Sequence, residues 1–165
     1  MAGLLLDWEI LLRMAHVIGA MVLFGTGAGI AFFMLMAHRS GDARVIAHVA
    51  GVVVLADTIF TATAVIAQPV TGVLLARATG WPLTEGWIVL SLILYGVTGA
   101  FWLPVVWIQL RLRDMARAAQ ATGTALPPRY FRLFRIWFAC GFPAFFAVGA
   151  ILWLMLARPA NPLPF

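Results

Sequence analysis

Few side chains in this sequence are capable of chemistry, and most of those lie inside apolar runs. Asp57 stands in VVVLADTIFTATAVIAQPVTG, followed by Thr61, Ala64, Gln68 and Gly72 at offsets of 4, 7, 11 and 15. On an α-helix those offsets share one face. The carboxyl group could relay protons, bind a cation or hold a substrate amine. The structural alternative is a protonated Asp57 hydrogen-bonded to Thr26 or Tyr95. A charge at the centre of a bilayer helix costs about 2.5–3.5 kcal/mol on insertion scales, so such a residue faces protein or trapped water. The second candidate is His16, in LLRMAHVIGA, which shares a face with Glu9 seven residues earlier. An imidazole there can ligate haem iron, bind another metal or shuttle protons. Its structural alternative is a hydrogen-bonded histidine, with Gln68 at similar depth as the partner.

A haem ligated on both sides by histidine needs a second one at the depth of His16. His38 lies at the far end of the first apolar run and His48 near the start of the second. A haem at His16 would therefore be five-coordinate, use a different sixth ligand, or lie between subunits. Between His16 and His38 comes GTGAG, Gly25 to Gly29. With no strand before it, this run is not a nucleotide loop. Gly25, Gly27 and Gly29 instead offer a surface that a neighbouring helix or a flat ligand can approach closely.

The elements that position these residues follow from composition. The chain has 165 residues, 64% hydrophobic and only 10% charged, with a mean hydropathy of +1.01. Soluble domains average roughly 45–50% apolar and about 25% charged. An all-α integral membrane protein is expected, as one four-helix transmembrane up-down bundle with spans near 8–37, 45–76, 87–113 and 129–157. Ser40-Gly41-Asp42, GWPLTEGW and ATGTALPP break the spans, and Asp42 offers an N-cap. No cleavable signal peptide is evident, because Asp7 and Glu9 stand where a positive segment would be. The first span is expected to act as its own insertion signal.

The net charge of +5 comes from arginine, with no lysine present. Arg39, Arg44, Arg111, Arg113, Arg117, Arg129, Arg132 and Arg135 lie at the first and third links, and only Arg13, Arg77 and Arg158 on the other side. The positive-inside rule then predicts a bacterial inner-membrane protein with both termini periplasmic. The expected partners are the bilayer and, at Arg111, Arg113, Arg117, Arg129, Arg132 and Arg135, anionic lipid headgroups, with no nucleic acid. A homo-oligomer or a larger membrane complex is a further expected partner.

Counting depth along the helices predicts a mid-membrane polar layer of Thr26, Asp57, Thr58, Tyr95 and Thr98. It also predicts an outer layer of His16, Gln68 and Ser91. Pro69, Pro104 and Pro143 each leave a carbonyl four residues earlier without its helical donor, at Val65, Ala100 and Ala139. The lone cysteine, Cys140, lies in an apolar segment and is expected to be buried and inert. No metal site or hydrolase triad is expected.

The ordered set LRMAHVIGAMVLFGTG, VVLADTIFTATAVIAQPVTG, GAFWLPVVWIQLRLRDMA and LPPRYFRLFRIWFACGFPAF resembles domain-of-unknown-function family 2269, bacterial predicted integral membrane proteins. The resemblance implies a multi-pass inner-membrane protein. It puts the family's polar positions on His16, Asp57, Gln68, Trp102, Pro104, Gln109, Arg111 and Arg113. AHVIGAMVLFGTG is more loosely similar to HemJ-type oxidases and copper-resistance D proteins. The lysine of the HemJ-type enzymes has no counterpart, which speaks against that oxidase activity. Three functions follow as expectations. The first is a haem- or redox-associated membrane protein with His16 as ligand and haem b as cofactor. The second is an accessory or structural membrane subunit. The third is a small oligomeric solute or proton carrier using Asp57 and Gln68.

Overall fold

The computed structural model describes residues 2–160, with side chains from Asp7 onward. The described residues form helices only: α1 (Ala2–Ser40), α2 (Ala43–Ala56), a π-helical turn (Asp57–Thr61), α3 (Ala62–Ala78), α4 (Gly86–Thr122) and α5 (Pro128–Ala157). The second span is α2, the π turn and α3 run together. Four stretches are long and apolar enough to cross a membrane, Asp7–Ser40, Ala43–Ala78, Gly86–Thr122 and Pro128–Ala157.

The ends are set locally. Asp42 caps α2 by accepting from the Arg44 N–H at 2.7 Å, which satisfies one of the free donors at a helix start. Helix α4 stops at Gly123, whose φ of +65° suits glycine. The Thr124 N–H turns back onto the Ala119 carbonyl at 3.1 Å, closing the helix in a Schellman turn. Pro128 opens α5 at a position where its missing N–H costs nothing. The helix of the third span, expected to continue past 113 to about Ala119, runs on to Thr122. The segment LRDMARAAQAT is rich in good helix formers, and nothing interrupts it before Gly123.

Two apolar clusters show how the helices pass one another. At the end of the first and third links, Met34 and Ala37 of α1 meet Ile46, Ala47 and Ala50 of α2. Leu112 and Ala116 of α4 join them, with Tyr130, Phe134 and Trp137 of α5. The end of one helix meets the start of the next, so neighbours run antiparallel. At the opposite end a smaller cluster joins Ala76 of α3, Trp87 and Ile88 of α4 and Leu154 of α5, among the described residues without α1. Helix α3 packs on α1, while α4 packs on α5 and α2. Helix α1 also meets α5, where Phe24 stacks on Phe145 at 4.5 Å, and Tyr95 and Trp102 of α4 reach across to the second span.

Candidate functional site

The buried polar residues lie on the second span and the helices facing it. Asp57, Thr61, Ala64 and Gln68 are all buried, and Gly72 is half-buried. Gly19 of α1 lies so close to α3 that a Cβ there would sit 2.5 Å from Gln68 Nε2. That approach lets the Gln68 amide donate to the His16 carbonyl at 2.8 Å. Gly72 performs the same service from the other side, since a Cβ on it would stand 3.1 Å from His16 Cε1. Two glycines and one glutamine thus dock α3 onto α1 at the level of His16.

The imidazole of His16 is fixed by Thr71, whose Oγ1 lies 2.9 Å from Nδ1. The Thr71 hydroxyl has one hydrogen, and the Ala67 carbonyl also lies within its reach at 2.8 Å. With that hydrogen on the Ala67 carbonyl the oxygen accepts from Nδ1–H; with it on Nδ1 the ring accepts and Nε2 carries the proton. Nε2 makes no hydrogen bond among the described residues. Gln68 does meet His16, but at the backbone; the ring partner is Thr71.

Asp57 opens the π turn, in which the Ala62 N–H reaches back five residues to the Asp57 carbonyl. Such a turn winds an extra residue into the helix and often marks a functional site. Trp102 of α4 donates its indole N–H to Asp57 Oδ1 at 3.2 Å. Thr61 Oγ1 is buried beside the Asp57 carboxyl but meets no partner with hydrogen-bond geometry among the described residues. Further along, the Tyr95 hydroxyl of α4 donates to the Val65 carbonyl. That is the carbonyl Pro69 deprives of its helical donor, so tyrosine supplies what proline withholds.

The polar residues differ in level from the depth count. Tyr95 stands opposite Val65, eight residues or about 12 Å from Asp57 along the helix, and Trp102 occupies the level of Asp57 instead. The register differs because α4 extends past Arg113 and meets α2 through Ile108, Leu112 and Ala116. Thr98 is half-buried and turns its hydroxyl onto its own helix, to the Leu94 carbonyl at 2.9 Å. Thr58 is exposed and bonds Val54 in the same way at 2.8 Å. Thr26 is half-buried. Ser91 is buried and bonds the Trp87 carbonyl at 2.7 Å.

Among the described residues nothing comes within 4 Å of a Cβ placed on Gly25 or Gly27, and Gly29 meets only Phe33 of its own helix. The close approaches fall at Gly19, Gly51 and Gly72. Gly19, Thr71 and the π turn escaped the sequence reading, and Trp102 entered only through the family resemblance. The spacing gave a faint signal for two of them: Gly19 is three residues after His16, and Thr71 three after Gln68. Cys140 is a free thiol and half-buried rather than buried.

With this geometry in place, the family model "Predicted integral membrane protein (DUF2269)" matches residues 10–159. The chain belongs to this family. The DUF2269 match runs from Ile10 in α1 to Pro159 just beyond α5 and takes in every polar contact described above. No curated protein and no solved structure matches the chain, so the looser likeness to HemJ-type and copper-resistance D proteins has no match to support it. The DUF2269 description specifies integration in a membrane and names no reaction.

The arginines of this DUF2269 chain collect at one end. Arg111 lies over the Trp107 ring at 5.4 Å, and Arg113 pairs with Asp114 at 2.9 Å. Arg117, Arg129, Arg132 and Arg135 are exposed. At the opposite end Arg158 stands over the rings of Trp81 and Trp87 at 5.7 and 5.9 Å.

Proposed function

We propose that this DUF2269 protein is a haem- or redox-associated membrane protein in which His16 Nε2 is the protein ligand to iron. One observation carries this reading: Thr71 Oγ1 holds Nδ1 at 2.9 Å, and Nε2 makes no hydrogen bond among the described residues. Metal-binding histidines nearly always donate their second nitrogen to a fixed acceptor, which orients the ring and raises its basicity. The residues present fit a single-histidine site. Among the described residues no three metal-ligating side chains gather, and His38 is turned to Tyr130 and Phe134. The group bound would be haem b, which supplies electron transfer or ligand exchange at its iron. His16 would hold it, Thr71 would orient His16, and Gln68 with Gly19 would keep α1 and α3 at the distance this needs. Gly25 lies nine residues, about 13.5 Å, along α1 from His16. The Gly25–Gly29 surface therefore belongs to a separate contact, such as a second copy or another subunit.

The test is the absorption spectrum of protein extracted from its native membrane. A Soret band lost in His16→Ala is expected, and Thr71→Val should lower haem affinity roughly 10-fold. A sample with no Soret band after haem supplementation would sink the reading.

A second reading is an accessory subunit whose polar residues only set helix register. It is favoured by the three side-chain contacts that α3 and α4 donate to neighbouring helices at Gln68, Trp102 and Tyr95. It predicts that His16→Ala and Asp57→Asn impair assembly without removing a separable activity. For either reading we propose the inner membrane as the location, with the first and third links cytoplasmic, supported by the arginine excess at those links. Reporter fusions that place either terminus in the cytoplasm would reverse this orientation.

A further inference from the structure

The second span changes partner half-way along. Helix α2 packs on α4 as well as on α1, whereas the main partner of α3 is α1. The change falls at the π turn. An α-helix turns about 100° per residue, so the extra residue wound into Asp57–Thr61 sets which face α3 presents downstream. In a regular α-helix of the same sequence, α3 would be rotated by about 100° around its own axis. The Thr71 Cα, about 2.3 Å from that axis, would then move about 3.5 Å. A shift of that size breaks the contact of its Oγ1 with His16 Nδ1.

Two sets of contacts hold the turn. On its outer side Thr58, Ile59 and Phe60 are exposed, and threonine hydroxyls cover the backbone there. Thr58 donates to the Val54 carbonyl, and Thr63 to the Ile59 and Phe60 carbonyls. In a bilayer an open carbonyl at these positions would face hydrocarbon. These bonds stay within one helix and give it no direction relative to its neighbours. On the inner side Asp57 and Thr61 are buried, and Trp102 of α4 donates its indole N–H to Asp57 Oδ1 at 3.2 Å. Among the described residues that is the one side-chain hydrogen bond from the turn to another helix. Thr71 lies fourteen residues beyond Asp57, about 21 Å along the helix. Tyr95 bonds the Val65 carbonyl that Pro69 frees, and α3 runs unbroken between the two. A rigid element of this kind carries a rotation from one end to the other.

We propose that Trp102 is a positioning residue for His16. By holding Asp57 it fixes the phase of α3, and that phase brings Thr71 to the His16 ring and Gln68 to the His16 carbonyl. Its importance for a bound group rests on the reading of His16 as the ligand, whereas its effect on the ring is present without one.

Histidine-selective nitrogen NMR of the full chain in detergent, without haem, reads the hydrogen bonding of the His16 ring. The signals of His16 are those lost in His16→Gln, and Thr71→Val gives the shift that follows loss of the contact. Trp102→Phe should shift them in the same way. Asp57→Leu removes the acceptor and leaves no buried carboxyl, so it serves as a second variant should Trp102→Phe fail to fold; it too should shift them. Asp57→Asn keeps an oxygen for the indole N–H and should leave them in place. Leu112→Ala, which loosens the packed end, should also leave them in place. Unchanged His16 signals in both Trp102→Phe and Asp57→Leu would overturn the proposal. So would an equal shift in Leu112→Ala, which would make the effect one of stability alone. Where haem binds, Trp102→Phe should weaken it as much as Thr71→Val, roughly 10-fold. A missing Soret band in every sample would sink the haem reading, and the nitrogen signals would still decide the role of Trp102.

Discussion

The two ends of the bundle are held by different means. Around the first and third links, all four spans contribute to one apolar cluster, and Ile46, Leu112 and Tyr130 have no exposed surface. Towards the second link the packing between helices is looser. There the contacts between helices are hydrogen bonds from Gln68, Trp102 and Tyr95, with a small cluster around Trp87 and Leu154. Lipid tails are as apolar as leucine, so burial from water cannot drive either arrangement, and close packing and interhelical hydrogen bonds must. The packed end gains from many small dispersion contacts. The polar end relies on a few directional bonds whose loss leaves an unpaired group in hydrocarbon. The candidate ligand His16 belongs to the polar end, where side chains rather than a dense core fix the geometry.

This contrast makes graded predictions for unfolding in detergent titrations. Leu112→Ala removes a fully buried side chain from the dense cluster and should cost about 3 kcal/mol. A value near zero would mean that lipid fills the space and that the cluster is not the stable end. Gly19→Leu should come next, at about 2 kcal/mol, because the added side chain pushes Gln68 off the His16 carbonyl. Gly25→Leu, facing open space in the monomer, should stay within about 0.5 kcal/mol. An equal cost at both glycines would reveal a partner on the Gly25 face.

Tyr95→Phe removes the donor to the Val65 carbonyl and should cost about 0.6 kcal/mol, the average for a side-chain hydrogen bond in a membrane protein. In a Pro69→Ala background the helix regains its own donor, so the same substitution should cost less. A double-mutant cycle reads the difference. Arg158→Gln should cost about 0.5 kcal/mol by removing the cation over Trp81 and Trp87.

Much of the fold was legible in the residues because local rules decide it. Apolar length fixed the number of spans, and the Asp42 cap and Pro128 marked helix starts within a residue or two. Pro69 announced an unpaired carbonyl at Val65. The offsets from Asp57 to Gln68 also named residues that the tertiary structure buries. None of these needs knowledge of a neighbouring helix.

The partners were settled only by packing. Depth counting set Tyr95 opposite Asp57, but register between α2 and α4 is decided where Ala50, Leu112 and Ala116 interlock, and that contact brings Trp102 there instead. The π turn has no sequence signature, because its extra residue is accommodated by tertiary contacts rather than by local propensity. GTGAG looked like the surface for close approach, yet Gly19, Gly51 and Gly72 are the glycines that neighbouring side chains meet. A glycine permits close approach, and only the shape of the facing helix decides whether it is used.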